Sequence, residues 1–253
     1  MTMESNEIFV TAIMVAGFLT VHLQVHRLRF LDVTPRSRWL SFAGGVAVAY
    51  VFLHVLPDIG MHSREFSDEL GVSPTAAESA VYSLALAGLA VFYGLERAVK
   101  VSREKARAAG EGDRIQDDVL YLHLVTYGSF NALVGYLLLH REESGDWALA
   151  LFFIAMALHF LTADFGMRQD HREAYDRLAR WIISAAVVGG WVLGIFIALS
   201  PVLIGGLFAF LAGGIILNVL KEELPEERQS YFLPFLLGVI LYAGLIMAER
   251  HWV

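Results

Sequence analysis

The chain has 253 residues, 57% of them hydrophobic and only 18% charged, with a mean hydropathy of +0.56 and a formal net charge of -7. That apolarity excludes an ordinary soluble domain, and the acidic balance excludes the concentrated basic face that nucleic acid requires. Cysteine is absent, which excludes disulfides, thiol catalysis and a thiolate zinc site.

The amino end, MTMESNEIF, carries Glu4 and Glu7 and no basic region, so the first apolar run is expected to be retained rather than cleaved. A membrane span needs about 20 mainly apolar residues. By that measure eight helices are expected, at roughly 7–26, 38–57, 79–99, 117–139, 147–168, 178–199, 201–221 and 230–250. The runs are too long and too weakly alternating for barrel strands. Pro35, Pro57, Pro74, Pro201 and Pro225 fall near run ends, where proline starts or terminates a helix, and Pro234 falls in the first turn of the last. Trp39, Trp147, Trp181, Tyr231 and Trp252 sit near span ends, as an aromatic belt does. The expected class is all-α, one transmembrane domain over 1–253, in a cell (inner or plasma) membrane with the lipid bilayer as its solvent.

Charge gives the orientation. All but three of the 19 Lys and Arg residues fall in the connections 27–38, 97–114, 168–180 and 221–228, against Arg64, Arg141 and Arg250 elsewhere. Basic residues stay on the cytoplasmic side, so both termini are expected outside, with 101–116 as a cytoplasmic loop after the third span. The chain also resembles itself. FAGGVAVAYVFLHVLPD (42–58) and LAGGIILNVLKEELPEE (211–227) share an Ala-Gly-Gly start and a Leu-Pro-acid end, and their spans run in opposite directions. Such segments mark an inverted repeat of the kind that frames a transporter's central site.

The polar residues concentrate in the middle. YLHLVTYGSFNALVGY (121–136) puts His123, Tyr127 and Asn131 at four-residue steps on one stripe, and ALHFLTADFG places His159 at similar depth in the next run. Ionisable groups at that depth are costly and point to a site.

Three spans, two, then three inverted: this arrangement resembles the ZIP (Zrt/Irt-like) family of divalent metal transporters. The 42–58 stretch is similar to that family's second span, with its His-Leu-Leu-Pro-acid ending, and LKEELPEE is similar to the close of its seventh. HLVTYG at 123–128 keeps the His and Gly of the fourth-span motif His-Asn-x-x-Asp/Glu-Gly. HFLTADFG at 159–166 keeps the first His, an acid and the Gly of the fifth-span motif His-Glu-x-x-His-Glu-x-Gly. The resemblance implies eight spans in a 3+2+3 inverted-repeat bundle, alternating access between the fourth and fifth helices, a homodimer, and a divalent cation such as zinc as substrate. No resident cofactor is indicated beyond a bound metal of that kind.

The departures fall on the ligands. Leu124 stands for the family's Asn, Tyr127 for its bridging carboxylate, Phe160 for an acid, and Ala163 for the second His or Glu. Asp164 follows His159 by five residues, roughly 140° around a helix, so it does not face the same ion without distortion. The metal set the resemblance leaves is His123, His159 and Asp164, with Thr126, Tyr127, Asn131 and Thr162 along a possible substrate path. Zinc accepts imidazole and carboxylate, and a transport site needs fewer ligands than a tight one because the ion must leave. The same histidines also fit a buried polar cluster without metal, or plain packing.

Lesser features stay in reserve. His22 and His26 read as interfacial beside Arg27, and His54 as an interface anchor or entrance residue. Glu222, Glu223, Glu226 and Glu227 read as a solvated acidic cluster, with Lys221 at its border. No phosphate-cradling loop, helical His-Glu-x-x-His or serine elbow is present, so an enzyme is not expected. Three readings follow: a ZIP-like divalent metal transporter; a ZIP-fold protein that has lost metal transport and carries another solute or acts as a sensor; and, last, an intramembrane enzyme, which no positive feature supports.

Overall fold

The protein is described from a computed structural model, which covers residues 5–28, 38–110, 117–140, 145–170, 172–223 and 231–252. Arg29, Pro35, Arg36, Arg114, Arg141, Pro225, Glu226, Glu227 and Arg228, named above for charge or helix ends, lie outside the described residues, as do the side chains of Glu222, Glu223, Arg250 and Trp252.

Among the described residues eight helices follow one another and no strand occurs. They are α1 (Ser5–Gln24, with a 3₁₀ turn at Val25–Arg27), α2 (Arg38–Leu70), α3 (Pro74–Ala108), α4 (Asp117–Leu137), α5 (Asp146–Asp170), α6 (Arg172–Phe196), α7 (Pro201–Glu223) and α8 (Phe232–Trp252). Six of them, α1, α2, α3, α5, α6 and α7, are long and apolar enough to cross a membrane. The described apolar part of α8 is the shorter stretch Phe232–Ala248. α4 is diluted by Tyr121, His123, Thr126, Tyr127, Ser129 and Asn131, so the helix with the polar stripe is the one whose apolarity falls short. Large apolar side chains stay exposed along the bundle, including Phe9, Leu86, Phe196 and Leu233, as suits a surface facing lipid. Trp39 and Trp147 are exposed near helix starts, and Trp181 is exposed within α6.

Two helices run past their expected limits. Pro57 does not end α2. It falls at the start of the segment Leu56–Leu70, just after a π turn at Val51–Val55, and the helix continues to Leu70. Gly71 then adopts φ 64°, Ser73 caps the next helix by accepting from the Ala76 amide at 3.3 Å, and Pro74 opens α3. α3 in turn extends to Ala108, so the first part of the expected loop 101–116 is helical. A second π turn, Tyr175–Ala179, interrupts α6. Such turns insert a residue and re-aim the side chains they carry.

The helices alternate up and down. At one end Tyr175 of α6 reaches His22 of α1, and the Tyr231 amide donates to Ser41 Oγ of α2 at 3.0 Å. At the other, Trp191 of α6 donates to Thr11 of α1 at 3.0 Å, and His140 donates to the Gly194 carbonyl at 2.8 Å. Helix α4 packs chiefly on α6, α3 on α7, and α2 on α8.

Each of those three pairs crosses on glycine, and each crossing is reciprocal. A Cβ built on Gly88 of α3 would lie 1.7 Å from the Phe210 carbonyl oxygen of α7, and one on Gly213 would lie 1.9 Å from that of Ala85. Gly45 of α2 meets Phe235 of α8 at 2.0 Å, and Gly238 meets Phe42 at 2.2 Å. Gly190 of α6 meets Ala132 of α4 at 1.8 Å, and Gly135 meets Val187 at 2.1 Å. No side chain fits where two backbones touch. Both Ala-Gly-Gly copies supply one of these contacts.

Adjacent glycines in α6 offer an internal control. Gly189→Ala meets nothing within 4 Å, whereas Gly190→Ala drives a methyl into the α4 backbone. The second substitution should cost about 1–3 kcal/mol and lower the midpoint of thermal unfolding in detergent by several degrees. The first should leave that midpoint in place; equal behaviour of the two would contradict the crossing.

Candidate functional site

His123 and Tyr127, one turn apart on α4, and His159 and Thr162 on α5 line one cavity between α2, α3, α4, α5 and α7. It is narrow, with about 20 Å³ open to a water-sized molecule. The His123 ring meets Tyr127 edge to face at 4.9 Å, and His159 meets Phe130 in the same way at 5.5 Å. Both histidines are buried. Thr162 hydroxyl donates to the His159 carbonyl at 2.9 Å, a helix back-bond that leaves its oxygen as an acceptor toward the cavity.

The opposite wall holds residues that the sequence motifs did not mark. Asn218 of α7 donates to the Tyr127 hydroxyl at 3.4 Å. Lys221, a turn further on, forms an ion pair with Glu96 of α3. Lys221 was expected at the edge of an acidic loop; instead it joins the cavity lining, with its charge held by Glu96. The two are 125 residues apart, and no local spacing announces them.

The remaining expected residues lie elsewhere. Thr126 donates to the Leu122 carbonyl at 2.8 Å and does not line the cavity. Asn131 is buried one turn beyond Tyr127; its Nδ2 donates to the Tyr127 carbonyl at 2.9 Å, and its Oδ1 has no hydrogen-bond partner among the described residues. Asp164 does not join His123 and His159. Its Oδ2 lies 2.6 Å from His22 Nδ1 and accepts from the Tyr175 hydroxyl at 2.8 Å, so the carboxylate faces α1 and α6. The cause is helical rotation, since five residues carry Asp164 off the face that His159 shares with Thr162. His22, expected at the interface, is fully buried in that cluster.

A second cavity occupies the other end of the bundle. Tyr50, His54, Asp58 and His62 of α2, at four-residue steps across the π turn, line it with Leu137 of α4, His140 just beyond that helix, Phe152 of α5 and Phe208 of α7. His62 pairs with Glu65 at 2.9 Å and packs on Phe208, with ring centroids 5.1 Å apart. His140 stacks on Tyr136 at 4.4 Å. Helices α2, α4, α5 and α7 therefore line both cavities. Between the cavities those helices contribute Val51, Leu133, Val134, Ala155, Met156, Leu211 and Ala212 to one continuous apolar core.

As donors for a metal the first cavity (called inner, and the second outer, as labels only) offers two imidazoles and the Tyr127 phenol, while Glu96 is engaged by an ammonium. Among the described residues no group of three His, Asp or Glu side chains could hold a metal ion. A tetrahedral zinc set with three or four protein ligands does not fit.

No family model, curated protein or solved structure matches this chain.

The Glu96–Lys221 pair can be tested by a double-mutant cycle. Lys221→Met alone strands a half-buried carboxylate and should cost about 1–3 kcal/mol, below the range for fully buried pairs because both side chains keep some exposure. Adding Glu96→Gln should recover most of the loss in thermal unfolding, and additive single effects would contradict the pairing.

Proposed function

We propose that this protein is a multi-pass membrane carrier of ZIP-like architecture whose central site has lost the ligand set for a divalent metal and takes another solute. Its eight helices would all span, in a 3+2+3 order with both termini extracytoplasmic. The charge asymmetry supports that orientation, and so does the pairing of α2 with α8 and α3 with α7. If helices 1–3 exchange with 6–8, each of these pairs maps onto the other, as an inverted repeat requires.

One observation carries the transport reading. Two histidine-lined cavities lie at opposite ends of the same four helices and are divided by apolar core, which is what a carrier needs to present one site to each side in turn. In this reading the solute contacts His123, His159, Tyr127 and Asn218, and shifts of α4 and α5 against the glycine-locked pairs α2·α8 and α3·α7 exchange its access. Lys221 is the argument against a metal cargo: its ammonium lies where a second cation would be repelled, and Glu96, the carboxylate in the lining, already neutralises it.

A divalent metal such as zinc as substrate remains the second reading, favoured by His123 and His159 lining one cavity. Radioactive zinc uptake into proteoliposomes separates the two. The first reading expects no saturable zinc flux above empty liposomes. Saturable flux that disappears in the His123→Ala/His159→Ala double variant would establish the second.

A further inference from the structure

We propose that the outer cavity is a binding site for a small organic ammonium ion, held by the Asp58 carboxylate and the aromatic rings around it. Its lining brings one acid together with rings from three helices: Tyr50, His54 and His62 of α2 beside Asp58, Phe152 of α5 and Phe208 of α7. Four-residue steps drift by about 40° each around an α-helix. The π turn at Val51–Val55 winds less per residue, takes back part of that drift and keeps the four α2 side chains on one wall. The rings brace one another, with Tyr50 and His54 centroids 5.3 Å apart and those of His62 and Phe208 5.1 Å apart.

The charge of this lining calls for a cation. Among the described lining residues there is no Lys or Arg, and Asp58 carries the one full charge when the imidazoles are neutral. Glu65 places a second carboxylate behind His62, 2.9 Å from its Nδ1. A metal ion needs several converging ligands, and no three His, Asp or Glu side chains among the described residues provide them. An ammonium ion asks for less: one carboxylate neutralises it, and aromatic faces attract the CH groups over which its charge is spread. An ionised carboxylate has about four acceptor sites, so Asp58 serves a ligand whatever else it contacts in the wall.

The room sets the size of the ligand. About 50 Å³ is open to a water-sized molecule. That is space for about four waters, and so for an ammonium of about four or five heavy atoms. The inner cavity has the opposite disposition, because the Lys221 ammonium stands in its lining. An ammonium ion bound in the outer cavity is therefore not passed on to the inner one. It occupies the approach to the central site and competes with the solute. That competition rests on the carrier reading; ammonium binding itself does not.

Saturation-transfer NMR on the purified protein at about pH 8, above the ordinary imidazole range, tests this with tetramethylammonium as the probe. The neutral control, of nearly the same shape, is tert-butanol. The ammonium should give a saturable signal and bind at least about tenfold more tightly than the alcohol. Asp58→Asn should weaken ammonium binding about tenfold and leave alcohol binding in place. Phe208→Leu keeps the apolar bulk but removes a ring, and should weaken ammonium binding about threefold. An ammonium that gives no saturable signal, binds no better than the alcohol, or is indifferent to Asp58→Asn would overturn the proposal. The comparison of the two probes on the unaltered protein decides even if a variant fails to fold. Absent ammonium binding leaves the carrier reading standing, and absent transport leaves ammonium binding standing.

Discussion

Contact between backbones holds this bundle together. In a bilayer, helices gain nothing by hiding apolar side chains from lipid that is equally apolar, so close packing and polar contacts must bind them. Three pairs, α2·α8, α3·α7 and α4·α6, approach until glycine Cα meets carbonyl oxygen, and each pair does so twice. Dispersion and weak Cα–H···O contacts are small singly and accumulate along such crossings. The remaining helices gather around these pairs. α5, which carries His159 and Asp164, is in none of them.

That arrangement decides what each polar residue does. α5 presents His159 and Thr162 to a cavity on one face and Asp164 to α1 and α6 on another. Polar groups at this depth are satisfied in different ways: Lys221 by Glu96, Asp164 by His22 and Tyr175, Asn218 by Tyr127. The first neutralises a charge in the inner cavity, the second ties α5 to α1 and α6 behind the cavity wall, and the third ties α7 to α4. The π turns belong to the same pattern, since one carries His54 of the outer cavity and the other Tyr175.

The helices were legible because apolar runs of membrane length have few other meanings, and His123, Tyr127, His159 and Thr162 were legible as intrusions in such runs. Asp164 misled because the resemblance grouped it with His159, whereas its five-residue spacing, visible in the sequence, separates them on a helix. Glu96, Asn218 and Tyr175 were not legible. Their partners lie far along the chain or on another helix, and Tyr175 depends on a π turn with no sequence signature. Pro57 looked like a helix end, but a proline just after a π turn sits where the regular hydrogen-bond ladder is already broken, so α2 continues through it.

The central claim is that two cavities, separated by apolar core, belong to opposite faces of the membrane. The absence of native cysteine makes single-cysteine labelling the most direct measurement. Ala163 lines the inner cavity and Ala148 the outer one. In sealed vesicles a small impermeant thiol reagent should modify Ala163→Cys from the side bearing the Arg- and Lys-rich connections, and Ala148→Cys from the other. Modification of both positions from one and the same side would contradict the account.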